Sequence, residues 1–446
     1  GRATGVLSHY PAENLVGRHA PGYGVVTEGF KLDSIEKGQQ LCLQAGYTSV
    51  QDVIISNTED IQSYKDFADS GRLKVRLYML LYINTEEQAT NVARTYKPPT
   101  ASRLTFGGWK LAMDGAPGAG TTLMYDKSLL GSSLSYPYFP QDVLNRIVKV
   151  LHDTGLQVAV HVSGDQGIDM TLTAFEQAMR QNPRTDPRHR IEHGLFPSAT
   201  ALSRMKAASI ILSTSPQWIS WYSDGLILNT NQESMNRLLP LKTILGMGIP
   251  VAFGCDVPAS EYQEPKWAFY GAVNRRANSG TVWNPQEKLT VQEALRTHTM
   301  GSAYAGFAEK TTGSLEPGRY ADLVIWSDDL YAMSSLDLNK LAAQMTIVNG
   351  DIVYDSGNVV GKSAVDLALA GGGAGAVSTW GTGDSTQAGY ASASLTSGTP
   401  PYGVAVFSFR QNNIVVSEAA VPASPPTTSA RIFVDNVGCY TGVALA

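Results

Sequence analysis

From about residue 30 to about residue 300, short apolar runs alternate with stretches of helical period, and that alternation leaves few folds open. The apolar runs are Tyr47–Ile54, Val75–Ile83, Phe106–Met113, Gln157–Val162, His189–His193, Ile210–Ser215 and Pro250–Cys255. Helical patterns lie between them at Asp33–Ala45, Pro140–Thr154, Ile168–Arg180 and Ser198–Ala207. A helix that crosses back over a strand returns the chain to start the next strand in the same direction, so the pairing is parallel. Seven such strands suit an α/β, TIM-like (β/α)8 barrel better than an open doubly wound sheet. Neither GxGxxG nor GxxxxGKS occurs to argue for a nucleotide-binding crossover. An eighth strand is expected ahead of Tyr47, yet Gly1–Phe30 is glycine-rich and offers only the short run Tyr23–Thr27. It reads as loop and extension, which leaves the first barrel strand missing.

The texture changes after residue 312. Gly313 to Trp326 reads as a turn followed by a strand, and Gln344–Asn349 with Asp351–Tyr354 reads as a hairpin around Gly350. Residues 313–367 are therefore expected to form a small β-layer beside a barrel spanning 1–312. Residues 368–389 are rich in Gly, Ala, Ser and Thr, a composition that builds no core and reads as a flexible linker. Over 390–446, Tyr390–Leu395, Gly403–Phe409, Ile414–Val416 and Ala430–Val434 alternate like strands around proline-rich turns, and a small β-module is expected there.

Composition narrows the function classes. Of 446 residues 43% are apolar, enough for a sizeable core, while charged residues make up only 16%, against roughly 25% in soluble domains at large. With a net charge of −5 and 34 basic side chains spread thinly, the chain lacks the clustered basic face that nucleic acid requires. No apolar run is long enough to span a membrane. The low charge and the abundance of Gly, Ser and Thr favour a secreted or periplasmic protein. The three cysteines, Cys42, Cys255 and Cys439, show no CxxC spacing, so neither a zinc knuckle nor a disulfide framework is implied, and Cys42 and Cys255 read as buried free thiols.

Four side chains carry the chemistry. Lys110 follows Phe106-Gly-Gly-Trp, His161 ends Val158-Ala-Val, His193 ends Arg190-Ile-Glu, and Asp256 follows Val251-Ala-Phe-Gly-Cys. The carboxyl ends of barrel strands face one mouth, so residues distant in sequence converge there. Two imidazoles and a carboxylate at one mouth make a site for zinc or a similar ion. Taken singly, a strand-end histidine is more often a structural group, Asp256 could cap a loop, and Lys110 could reach to the surface. Repetition at the same end of successive strands changes that balance. His9, His152 and His189 read as solvated or loop residues, and His19 and His298 are left open.

Lys110-Leu-Ala-Met-Asp114-Gly115-Ala, His161-Val-Ser-Gly-Asp165, Arg190-Ile-Glu-His193, Gly254-Cys-Asp256 and Gly313-Ser-Leu-Glu-Pro-Gly-Arg-Tyr-Ala-Asp322 occur in one order. That series resembles the amidohydrolase superfamily, in particular its YtcJ-like branch, over Ala3 to Tyr354. The resemblance implies a distorted barrel, one or two divalent metals (zinc the first candidate) and hydrolysis of an amide or related C–N bond of a small-molecule substrate. It implies that Lys110, His161, His193 and Asp256 surround the metal. Lys110 would be carboxylated, which needs an amine kept neutral by burial. Asp256 would be the catalytic base and then acid beside the activated water. Asp114 on a glycine-rich loop, Trp218 with Trp221 and Tyr222, and Arg275 beside Arg276 are the candidates for substrate contacts.

One departure stands out. The superfamily carries His-x-His at the end of its first strand, and no His-x-His occurs here. Two ligands of one metal are lost with it, and neighbouring strand edges are left unpaired. Three accounts follow: a longer polypeptide of which this is a part, a second chain from proteolysis or a separate gene that supplies the strand, or a barrel that has lost catalysis and serves as a non-catalytic extracellular scaffold; a homo-oligomer is left open as well. A two-carboxylate glycosidase built on Asp114, Glu192 and Asp256 needs paired acids at strand ends but leaves the histidines idle.

Overall fold

The structure is a computed structural model that describes residues 26–126, 135–257 and 259–357, together with strands between 375 and 445. Seven parallel strands form one curled sheet: β1 (Ser49–Ile55), β2 (Arg76–Tyr82), β3 (Leu104–Ala112), β4 (Gln157–Val162), β5 (Arg190–His193), β6 (Ile211–Thr214) and β7 (Val251–Phe253). They pair in sequence order, and a two-residue strand at Thr100–Ala101 adds antiparallel to β3. Every strand expected in the barrel from its apolar run is present. Among the described residues β1 and β7 are the two ends of the path.

Helices return the chain between strands. The first, α1 (Glu28–Gln44), starts earlier than its apolar pattern suggests, because Thr27 accepts the Phe30 N–H as N-cap and Glu28 lies in the positive first turn. Glu28–Phe30 are thus helical and not loop, while residues 1–25, with His9 and His19, lie outside the described residues. Helix α2 (Thr58–Asp69) and α3 (Glu86–Thr95) follow β1 and β2. Helix α4 (Gln141–His152) buries Leu144, Ile147, Val148 and Leu151, the spacing of one helical face. Its neighbour α5 (Asp165–Gln181) buries Ile168, Leu172 and Phe175 in the same manner. At about 1.5–3 kcal/mol per fully buried apolar side chain, these two faces hold the middle of the sheet.

Two glycines in β3 make room for the core. A side chain at Gly107 would occupy the space of the Tyr78 ring, and Gly108, at φ +149°, would drive a Cβ to 2.1 Å from the Gln157 carbonyl oxygen. The pair thereby allows β4 to approach and a tyrosine to fill the interior.

His152 and His189 are not solvated, contrary to their reading from sequence. Both are fully buried at the amino-terminal end of the sheet. The Val158 N–H donates to His189 Nδ1 at 3.0 Å, so the His189 proton sits on Nε2. That nitrogen lies 2.8 Å from His152 Nδ1, which must accept. His152 Nε2 then donates to the Asn182 carbonyl at 2.8 Å. One tautomer of each ring satisfies the whole chain, which ties α4 and the end of α5 to β4 and to the residue before β5. The sequence conceals it because its two rings are 37 positions apart.

Beyond the barrel strands, β8 (Leu323–Trp326), β9 (Ala343–Val348) and β10 (Asp351–Asp355) form an antiparallel sheet in the order β10-β9-β8. The β9–β10 turn has Asn349 at φ 56° and Gly350 at φ 82°, the positive angles that a two-residue hairpin of this twist demands. Strands β11 (Gly375–Trp380), β12 (Ala388–Ser394), β13 (Gly403–Gln411), β14 (Ile414–Pro422), β15 (Ser429–Asp435) and β16 (Cys439–Leu445) follow. They pair antiparallel as β11-β16-β13-β14 and as β12-β15. Strand β11 falls within the segment read as linker, because its backbone pairs with β16, a strand that no apolar run announces.

Candidate metal and proton-transfer site

Parallel register places the site residues before any side chain is considered. Lys110 is level with Ala159, which is level with Arg190. Ala112, His161, Glu192 and Ser213 form the next row toward the carboxyl end. Alternate residues share a face, so Lys110, His161, Arg190 and Glu192 stand on one side of the sheet.

Arg190 and Glu192, on successive rows of β5, form a buried polar network that the sequence does not announce. Arg190 is 1% exposed and Glu192 5%. The Arg190 guanidinium donates to Glu192 Oε1 at 2.7 Å through Nε and reaches Gln51 Oε1 of β1 through another nitrogen. Gln51 donates in turn to the Ser302 carbonyl at 2.8 Å. Burial works against the Glu192 charge, but Arg190, Lys110 and a hydrogen bond from Ser213 hold its carboxyl down at about 2. The alternation Arg190-x-Glu192 in a buried strand was the available signal.

Lys110 is 1% exposed. Burial pushes its amine down to about 8, with Arg190 acting the same way and Glu192 and Asp256 opposing. His161 and His193 meet edge to face, their ring centroids 4.4 Å apart at 71°. Burial pushes both below the usual imidazole range, His193 to about 3, and nearby Lys110 adds to the effect in each case. Both rings are therefore neutral at physiological pH, the form that binds metal. His161 Nε2 lies 3.4 Å from the Gly115 carbonyl and 3.9 Å from Asp114 Oδ1. The first is at the long limit of a hydrogen bond, so the ring is held loosely.

Asp256 follows β7 and is in electrostatic range of Lys110, His161 and Glu192; burial raises its carboxyl above the ordinary value, and the Lys110 charge opposes that. Its backbone is left-handed at φ 54°, as is that of His193 at φ 72°. The His193 carbonyl is fixed by the Thr214 hydroxyl, which donates to it at 2.8 Å. Two of the four site residues thus sit at backbone angles uncommon for residues other than glycine.

The three residues expected to contact substrate have different placements. Trp218, at the start of the short helix α6 (Gln217–Trp221), stacks on His193 with centroids 4.9 Å apart at 14°. Asp114 is wholly buried and accepts the N–H groups of Leu123, Ser163 and Gly164, each at 2.9 Å. Burial pushes its carboxyl up to about 7, and those three donors oppose the shift. It pins the glycine-rich loop to the end of β4. Arg275 is wholly buried and donates to the carbonyls of Trp283, Leu239 and Leu238 at 2.6–2.8 Å. A guanidinium committed to three backbone oxygens has no fork left for an anionic substrate, and Arg275 is withdrawn from that role. Its neighbour Arg276 is exposed. Cys42 and Cys255 are free and half-buried.

A divalent ion fits these donors in part. Two neutral imidazoles meet, and the buried Lys110 amine lies within electrostatic range of both. Among the described residues no three His, Cys, Asp or Glu side chains already surround one point closely enough to hold a metal. Further donors have to come from a carboxylated Lys110, from Asp256, or from outside those residues. No helix among them is long and apolar enough to cross a membrane.

Comparison with known proteins agrees with this chemistry. The amidohydrolase family profile matches residues 1–354. The putative amidohydrolase YtcJ of Bacillus subtilis is 26% identical over 366 residues, covering 80% of this chain and 66% of that protein. An N-substituted formamide deformylase of Arthrobacter pascens is 25% identical over 323 residues, covering 70% of this chain and 58% of that protein. In structure, an uncharacterized metal-dependent hydrolase from Pyrococcus furiosus superposes with a TM-score of 0.60 at 26% identity, covering 70% of this chain and 63% of that one. The chain thus spans less than two thirds of the length of each of these relatives.

Proposed function

The chain belongs to the amidohydrolase family, and from that premise we infer that it is a metal-dependent hydrolase of amide or related C–N bonds in small molecules. The observation that carries the reading is the meeting of His161 and His193, both neutral, above the buried amine of Lys110 and within electrostatic range of Asp256. Each comes from the end of a different strand.

His161 and His193 would hold the ion through imidazole nitrogens. The Lys110 amine, neutral in a useful fraction at a value of about 8, can attack carbon dioxide and lose a proton. The resulting carbamate adds an anionic oxygen donor. Zinc is the first candidate because two imidazoles and an oxygen anion suit it. When bound, a divalent ion supplies Lewis acidity toward the substrate carbonyl and a lower pKa for water. Asp256 Oδ accepts the proton of the attacking water and returns it to the leaving nitrogen as the C–N bond breaks, giving a carboxylic acid and an amine. Its raised value makes the return of that proton easier than from an ordinary aspartate. Arg190 and Glu192 hold the floor of the site in place. The formamide deformylase named above makes N-substituted formamides a sensible first substrate class.

The test is metal analysis of the native protein, with turnover of a panel of N-substituted formamides and simple amides. A stoichiometric divalent ion is expected, removed by chelator with loss of turnover and retained in Asp256→Asn. That variant should lose about 10²–10⁴-fold in kcat. Intact mass should show one carbon dioxide on Lys110. A well-folded native protein with neither ion nor turnover would favour the non-catalytic scaffold.

A further inference from the structure

Helix α6 occupies a decisive position that the hydrolytic reading does not by itself explain. It begins directly after β6, and Gln217 Nε2 donates to the Gly254 carbonyl at 3.1 Å, two residues before Asp256. Its next residue, Trp218, lies nearly parallel to the His193 imidazole, while His161 meets the same imidazole edge-on. Tyr222 packs against Trp218 at 63°, with centroids 6.5 Å apart, and its hydroxyl fills the space that a side chain at Gly118 on the glycine-rich loop would take. The indole is therefore packed between His193 and Tyr222, and Tyr222 in turn abuts that loop.

The indole Nε1 is buried and has no hydrogen-bond partner among the described residues. Buried donors are nearly always answered, by protein, water or a ligand, because an unanswered one loses its hydration for nothing. Other unanswered buried oxygens belong to neighbours of the same rim: Gln217 Oε1 beside it in α6, and Ser163 Oγ two residues beyond His161. These three atoms are polar capacity that the described residues leave unused.

We propose that Trp218 has two tasks: its ring positions His193, and its indole N–H donates to the acceptor oxygen of an amide-type substrate. The proposal deepens the hydrolytic reading and rests on it. Trp218 is a positioning residue toward the metal and a contact residue toward the substrate, and two substitutions separate these tasks. Trp218→Phe keeps an aromatic face on His193 and removes the donor. Trp218→Leu removes both.

Formanilide, which offers an amide carbonyl and a flat ring, serves as the substrate probe, and zinc as the metal probe. Calorimetric titration with zinc should give the same affinity for wild type and Trp218→Phe, and about 10–100-fold weaker binding for Trp218→Leu, the range for loss of a group that orients a metal ligand. Formanilide binding to zinc-loaded protein should weaken about 5–10-fold in Trp218→Phe, the scale of one neutral hydrogen bond, and any turnover should show it as a higher KM with kcat kept. Thermal melts check that both variants are folded. Equal zinc affinity in folded Trp218→Leu overturns the positioning task. Equal formanilide affinity in Trp218→Phe, or no binding to either protein, overturns the donor task. Failure of wild type to take zinc overturns the hydrolytic reading and the positioning task with it, and formanilide titration of the metal-free proteins then judges the indole.

Discussion

The middle of the parallel sheet and its β1 end are made of similar residues and live in different surroundings. In β5 all four residues are buried, and in β3 all but Thr105. In β1 only Ile55 is buried, and Ile54 is 47% exposed. Helix α5 buries eight residues, whereas α1, of equal length, buries two and leaves Phe30 63% and Leu41 65% exposed. Valine, isoleucine and leucine occur in both regions. What differs is the neighbour. The central strands have a strand on each side and helices over them, while β1 pairs with β2 alone among the described residues. Apolar character tells which residues seek cover; adjacency decides which receive it.

That contrast can be broken by substitution. The largest effect is expected at Arg190→Leu, which leaves Glu192 buried without its charge partner and should cost about 3–5 kcal/mol in denaturant unfolding. A loss under about 1 kcal/mol would mean that water reaches the supposed interior. Phe175→Ala, under the central strands, should cost about 3–4 kcal/mol, and a small cost there would put the middle of the sheet on the same footing as its end.

A pH series sharpens the contrast further. Burial lowers the values of His189 and His152 in the folded state. As pH falls below about 6.5, the value of free histidine, the unfolded chain takes up protons that the folded chain refuses. Stability should therefore be full above that point and decline toward pH 5. His189→Gln should make the decline shallower, and an unchanged slope would show that the paired rings do not contribute. The smallest effect belongs to the β1 end. Phe30→Ser with Leu41→Ser should stay within about 0.5 kcal/mol of wild type, and a large loss would reveal that something covers α1.

The barrel strands were legible because each is a compact apolar run between turn or helix signals, and the four strand-end side chains could be read from that placement. Residues defined by distant partners were not. Arg275 looked like an anion clamp because it stands beside a second arginine, yet two of its three partner carbonyls are 36 and 37 positions away. Asp114 sits in a glycine-rich loop, a setting that suggests mobility, while three backbone donors fix it. The short runs at β11 and β16 are made by pairing with each other, which no local pattern announces.

The left-handed backbone at His193 and Asp256 has a consequence for anyone redesigning the rim. Such angles are tolerated by glycine, asparagine, aspartate and histidine and resisted by branched or bulky residues. The bend in the chain therefore restricts both positions to a short alphabet before any reaction is considered. Most of that alphabet can also ligate a cation or carry a proton, so shape and chemistry here narrow the choice in the same direction.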